Sequence, residues 1–378
     1  MSAPLPGPPD PWAPSEMPAF RGKPPYVMTE MIAAEPAHAE RLLHRLADDE
    51  GFAALADALR AAADADHPIV TTGCGTSEHA AMAVAALLTE ALGREVRSVQ
   101  ALELLHRPPS AGLLVAISHE GGTHATNEAI GAARAAGART ALITAGSGSP
   151  GAGLAELVVT TGEQDQSWCH TIGYLSPMLV GLALARRVSG TKPDIAAIRA
   201  LIDVSSDTRS ASDAAAGLGG LDRLLVAGSG VDAITARELA LKAAEGSHLP
   251  TAAYELETLL HGHLAAADRW TGLVLVHTGS ASGPIAERVT RLLGAARALR
   301  VATAGILSAD AAEAIGDDLT PAGRIVLPHT GRVAGSAGSL LASTIALQLL
   351  TERLARMRGV NPDTLGREDP SQASAHGG

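Results

Sequence analysis

The sequence predicts an α/β protein built from two copies of one plan, each a parallel sheet flanked by helices in a three-layer, flavodoxin-like or Rossmann-like sandwich. Three observations carry this. Apolar runs of strand length alternate with helical patterns, the signature of a parallel sheet covered on both faces. Two of these units recur. HPIVTTGCGTSEHAAMAVAALL from His67 returns as LDRLLVAGSGVDAITARELALK from Leu221, and GLLVAISHEGGTHATNEAIGAARAAGARTALI from Gly112 returns as GLVLVHTGSASGPIAERVTRLLGAARALRVATAGI from Gly272. The Gly-x-Gly turns start 155 positions apart and the second units 160 apart, as duplication requires. Finally, 46% of the 378 residues are hydrophobic but only 2% aromatic, so small aliphatic side chains carry the core and suit close packing of helix on sheet.

Residues 1–25 are Pro-rich and predict a flexible arm; without a basic start and an apolar core segment they do not read as a signal peptide. A long helical pattern follows, from about Ile32 to Asp64. The strand from His67 ends in GCGTS and opens a helix. The strand Leu113–Ile117 ends in SHEGGT before the next helix. The stretch from Arg187 to Gly217 reads as one polar, Ala-rich helix joining the halves. The second half opens at Leu221 with strand, GSG turn and helix, and a polar tail begins at Asn361. The expected domains are 26–195 with its N-terminal helix, 196–356 with the linker helix, and a tail over 357–378.

The charge balance of −11 and the scarcity of aromatic rings argue against nucleic-acid partners. No apolar run reaches the roughly 20 residues that cross a membrane. Two cysteines, Cys74 and Cys169, are too few for a disulfide framework and point to a reducing, cytoplasmic setting.

Ligands of parallel sheets bind at the carboxyl ends of strands beside helix N-termini. GCGTS (Gly73, Cys74, Gly75, Thr76, Ser77) and SHEGGT (Ser118, His119, Glu120, Thr123) fall there, and such turns offer backbone N–H groups to an anion. A capped helix start without a ligand explains GCGTS equally well. Cys74 reads as a small residue at a tight turn, since no His/Asn signature accompanies it. Glu238, Lys242 and Glu245 share one helix face at i, i+4 and i+7. A solvated face is the ordinary reading of that spacing, but Lys242 is one of only three lysines and stands in the apolar context ELALKAAEG. His261-Gly262-His263 fits a polar loop, a proton-handling histidine or part of a metal site; a complete ligand set is not apparent, so no metal and no cofactor is expected.

Taken in order, PYVMTEMIAAEP, GCGTS, SHEGGTHAT, ELALKAAEGS and LLHGH resemble the sugar isomerase (SIS) domain family over about residues 26–357, in its tandem form with an aminotransferase-type isomerase half. The resemblance implies two tandem SIS domains, a sugar or sugar-phosphate substrate and a homodimer. It implies that Glu245 moves a proton between C1 and C2, and that His261, sixteen residues on, assists ring opening from the partner subunit. Lys242 and Glu238 match the rest of the helix motif. It implies a substrate cup of Cys74, Gly75, Thr76, Ser77, Ser118, His119, Glu120 and Thr123. A carboxylate base suits aldose–ketose chemistry, and Lys242 or a backbone N–H suits an enediol-type oxyanion.

The chain also departs from that pattern. A glutaminase domain is not expected, and no lysine follows Lys242 in the sequence, where the family's aminotransferases use one for a Schiff base; Arg367 stays protonated and cannot replace it. His263 stands where the family has proline, and SWCHTIGY (167–174), with Trp168, Cys169 and His170, replaces a T-K segment. Glu120 stands where a serine meets the phosphate, and a carboxylate repels one. The substrate lacks phosphate and Glu120 bonds a hydroxyl or amine, or the phosphate stays on Ser77, Ser118, His119 and Thr123 while Glu120 turns outward, or catalysis is lost. The expected function is an isomerase, deglycase or deaminase of a sugar phosphate or amino sugar, not a complete glutamine-dependent aminotransferase; the alternative is a non-catalytic sugar-phosphate sensor.

Overall fold

Ile69–Gly73 is buried residue by residue, and so is Leu113–Ile117. Strands buried on both faces need helices above and below, and the computed structural model supplies them. It describes residues 21–333 and 335–376; the first twenty residues of the expected Pro-rich arm lie outside them.

The helices are α1 (Val27–Leu46), α2 (Glu50–Asp64), α3 (Thr76–Leu92), α4 (Ala101–Leu104), α5 (His124–Ala136), α6 (Pro150–Leu154), α7 (Ile172–Val188), α8 (Ile195–Val204), α9 (Thr208–Leu218), α10 (Val231–Ser247), α11 (Leu256–Leu260), α12 (Pro284–Ala298), α13 (Ala309–Ile315), α14 (Ser336–Arg358) and α15 (Pro370–His376). The strands are β1 (Ile69–Gly73), β2 (Arg97–Gln100), β3 (Leu113–Ile117), β4 (Arg139–Thr144), β5 (Leu157–Thr160), β6 (Arg223–Gly228), β7 (Thr251–Glu255), β8 (Thr271–His277), β9 (Ala302–Ser308) and β10 (Gly323–Leu327). They form two five-stranded parallel sheets, ordered β2-β1-β3-β4-β5 and β10-β9-β8-β6-β7, flanked by helices. The second order is the first read from the other end, as duplication predicts.

The chain divides into two compact units. The first holds Ala37–Gln166 and His170–Ile198; the second holds residues 21–36, Ser167–Cys169 and residues 199–376. This partition differs from the expected 26–195 and 196–356, because the start of α1 and the C-terminal stretch both count with the second sheet.

In the first unit α3 packs on α7, and α5 packs with α4 and α6. Val70, Leu114, Ala129 and Ala133 meet in one apolar cluster with Ala101 and Leu104, so alanine lets α5 lie close to the sheet. In the second unit α10 packs on α14, which is buried along most of its length. No helix among the described residues is long and apolar enough to cross a membrane.

Three expectations are corrected. The helix expected from Ile32 to Asp64 is two helices, because Asp49 accepts the Phe52 N–H at 2.7 Å and caps a new start. The single linker helix is likewise α8 and α9, with Asp207 accepting the N–H groups of Arg209 and Ser210. The tail is not a separate polar strand of chain. Asn361, Asp363 and Thr364 are buried, and the Asp363 carboxylate accepts the Val27 and Met28 N–H groups at 2.7 and 2.9 Å. Trp168 donates its N–H to the Asp363 carbonyl, and the Arg367 guanidinium lies 3.1 Å from the centre of the Trp168 ring.

Candidate functional site

β1 and β3 are neighbours whose chains leave toward opposite sides of the sheet order, so a crevice opens at their carboxyl ends. The turn after β1 is shaped by Gly75, at φ 56° and ψ −128°, a conformation that a side chain disfavours. The N-cap residues of α3 and α5 make no side-chain cap bond, and among the described residues the N–H groups of Gly75, Gly122 and Thr123 make no backbone hydrogen bond. Ser118 Oγ lies 3.4 Å from Thr123 Oγ1, Ser77 is half-buried, and Thr76 is buried. These groups form a donor-rich rim.

His119 does not join that rim. Its ring is buried, its Nε2 accepts the Asp165 N–H at 2.9 Å, and burial, opposed by Asp165, holds its pKa below the usual imidazole value. Cys74 is half-buried against the apolar cluster, and burial pushes its thiol pKa up, which suits the packing role read for it. Glu120 is half-buried and accepts from Gln164 Nε2 at 3.4 Å.

Sequence reasoning missed the segment behind this rim. Asp165 accepts the N–H groups of Thr171 and Gly173 and so caps α7, while its own N–H holds His119. Gln164, Asp165 and Gln166 are all buried. A polar run between a strand and a helix normally marks a surface loop, so only its fixed bonding partners reveal it.

In the second unit the Glu238–Lys242–Glu245 face is not solvated. The side chains of Glu238 and Lys242 are 0% and 1% exposed, and that of Glu245 is 24% exposed. Lys242 Nζ donates to Glu245 Oε2 at 2.7 Å and stands 3.7 Å from Glu238 Oε1. Burial works against its charge, but Glu245 and Glu238 outweigh burial and raise the ammonium pKa above its usual value. Glu245 lines a cavity of about 530 Å³ shared with His248, Leu365 and Gln372, none of which sequence reasoning had singled out.

His261 lies elsewhere in the same unit. It ends α11, is exposed, and stands 3.1 Å from Glu257 Oε2. With His263, which stacks on Tyr254 at 4.3 Å, it lines a different cavity of about 650 Å³. One chain therefore brings Lys242 and Glu238 to Glu245 but not His261. Among the described residues no group of His, Cys, Asp and Glu is arranged to hold a metal.

The second unit repeats the turn after β1. Gly230 has φ 61° and ψ −128°, almost the angles of Gly75. Asp232 stands where the first unit has Ser77, and its carboxylate accepts the Thr278 N–H at 2.9 Å and the Thr278 hydroxyl. The repeated cup thus carries an acid at the position of a neutral hydroxyl.

These features have counterparts in known proteins. The SIS domain model matches residues 63–187. A glutamine–fructose-6-phosphate aminotransferase [isomerizing] from Symbiobacterium thermophilum is 28% identical over 375 residues, covering 93% of this chain and 59% of that protein, so the chain spans about six-tenths of the relative. The C-terminal domain of the glucosamine-fructose-6-phosphate aminotransferase from Francisella tularensis superposes with a TM-score of 0.76 at 18% identity, over 90% of this chain and 98% of its own. The tagatose-6-phosphate ketose/aldose isomerase from Escherichia coli superposes with a TM-score of 0.70 at 19% identity, over 92% and 97%. Residues 63–187 thus match the SIS domain model, and the half that follows repeats the sheet order and the first turn of that stretch.

Proposed function

We propose that the chain is a sugar isomerase-type enzyme acting on a sugar phosphate or an amino sugar, with Glu245 as the group that moves a proton between C1 and C2. The observation that carries this reading is the buried Glu238–Lys242–Glu245 cluster, in which an ammonium holds a carboxylate at a cavity wall. A cation stands at hydrogen-bond distance from this carboxylate, a group of the kind that takes a proton from carbon. It also fixes the carboxylate in one orientation, which is the geometric requirement for a base. Enolisation beside a carbonyl builds negative charge on oxygen, and in this reading Lys242 or a backbone N–H stabilises it.

Taken by itself, the donor-rich rim of the first unit suits a phosphate or a hydroxyl-rich sugar, with Ser77, Ser118 and Thr123 as side-chain donors. Gln164 holds the Glu120 carboxylate, which selects between these two kinds of ligand. The relatives named as a ketose/aldose isomerase and as aminotransferases act on sugar phosphates and support the substrate class. The reading includes a homodimer in which His261 serves the site of the other copy in ring opening.

The test follows carbon-bound protons by NMR in D₂O, over hexoses and hexosamines with and without a 6-phosphate. Exchange at C1 or C2 is expected, and Glu245→Gln should slow it by at least about 10²-fold. Exchange that survives Glu245→Gln unchanged sinks the reading. A phosphosugar as the preferred substrate would mean that Glu120 avoids the phosphate; preference for the unphosphorylated sugar would mean that Glu120 bonds it.

A further inference from the structure

Among the described residues two titratable ones line the Glu245 cavity, Glu245 itself and His248. Leu365 and Gln372 also line it and do not titrate. His248 ends α10 in a left-handed conformation, φ 52° and ψ 31°, with its N–H on the Ala244 carbonyl at 3.1 Å. Few residues other than glycine adopt that conformation, and here it ends the helix three residues after Glu245, with both residues lining one cavity. Gly366, at φ 77°, makes room for the ring. A Cβ there would lie 3.0 Å from His248 Cε1 and 3.3 Å from Nε2. His261, the histidine expected from sequence, lines another cavity of the same unit.

We propose that His248 is the second acid–base group of this site, serving the sugar's oxygens while Glu245 serves its carbons; the inference rests on the isomerase reading above. In the aldose-to-ketose direction Glu245 takes the C2 proton as the His248 imidazolium gives a proton to the aldehyde oxygen O1, leaving a cis-enediol. The neutral imidazole then takes the proton of the C2 hydroxyl as Glu245 returns its proton to C1. The C2 carbonyl forms, and both groups end as they began. Imidazole suits the oxygen steps because it changes charge near neutral pH. Glu245 lines the same cavity from the same helix, Arg358 of α14 donates to the adjacent Ser247 carbonyl, and Leu365, Gly366 and Gln372 come from the C-terminal stretch.

The experiment uses the full chain and the same sugar panel, with exchange and turnover read from about pH 5 to pH 9. His248→Asn keeps a residue that tolerates the left-handed backbone, and a melting curve confirms its fold. Its turnover should fall about 10²-fold, with the pH limb near neutrality lost. His248→Gly should recover turnover when free imidazole is added, which a packing role would not produce. Wild-type exchange together with an unaltered rate and pH profile in His248→Asn overturns this inference alone. A slow His248→Asn that keeps the neutral limb, with a His248→Gly that imidazole does not restore, also overturns it. A wild type that exchanges no sugar of the panel overturns the isomerase reading and this inference with it.

Discussion

Glu163 is a residue-scale lock in the first unit. His38 Nδ1 stands 3.2 Å from Glu163 Oε2, Arg41 Nη2 lies 2.6 Å from Oε1, and His38 Nε2 lies 2.7 Å from Ser176 Oγ. The hydrogen bond with His38 chiefly, against some desolvation and with help from Arg41, holds the Glu163 carboxyl at about 2 instead of 4.5. The folded-state value lies below the unfolded one, so this stabilisation is complete above about pH 4.5 and is lost as pH falls toward 2. Glu163→Gln should therefore melt at a lower temperature at neutral pH and show a flatter acid limb between those values; thermal melts across the window check it, and an unchanged acid limb counts against it. Sequence legibility at this scale follows locality. The spacing of Glu238, Lys242 and Glu245 was visible because it belongs to one helix. Their burial was not, because α14 covers that helix from a hundred residues further on. His119 was read as a ligand because its strand end is a binding position, but Asp165, 46 residues away, takes its ring nitrogen.

At the scale of elements, local capping decides where helices break. Asp49 and Asp207 each interrupt a pattern that reads as continuous when only apolar spacing is followed. The strands were legible, because complete burial leaves uninterrupted apolar runs, and the turns were legible through their glycines. The long-range cap on α1 was not. Asp363 serves the first two residues of that helix, where an anion also meets the positive helix end. Asp363→Ala should cost about 1–2 kcal/mol. Hydrogen exchange provides the check: the Val27 and Met28 amides should lose protection while those of α5 keep theirs. Equal protection in the variant would mean that another group caps the helix.

At the scale of the whole molecule, duplication was legible in the offsets of the two units, and both sheets carry it out. The partition was less legible, because the second unit recruits chain from three places. Residues 21–36 give it buried Glu35, which accepts from Gln348 Nε2 at 2.9 Å, and Thr29, which donates to Glu352 at 2.7 Å. A fragment of residues 199–378 loses the Glu35 bond of Gln348 and the Thr29 bond of Glu352, and losing hydrogen bonds of buried polar groups is costly. That fragment should unfold at clearly lower urea than the second sheet of the intact chain, followed by circular dichroism. A fragment as resistant as the intact chain would show that residues 21–36 and 167–169 are dispensable to it.

The Asp363 clasp also sets an order in time. Its partners at Val27 and Met28 leave the ribosome 336 and 335 residues earlier. At about 5–20 residues per second the start of α1 waits roughly 17–67 s for its carboxylate. The first sheet has all its strands within that interval, whereas the second unit closes only when its earliest and latest segments meet. Slow or interrupted synthesis therefore exposes the second half, and chaperone demand should fall on the nascent chain after the first sheet is complete.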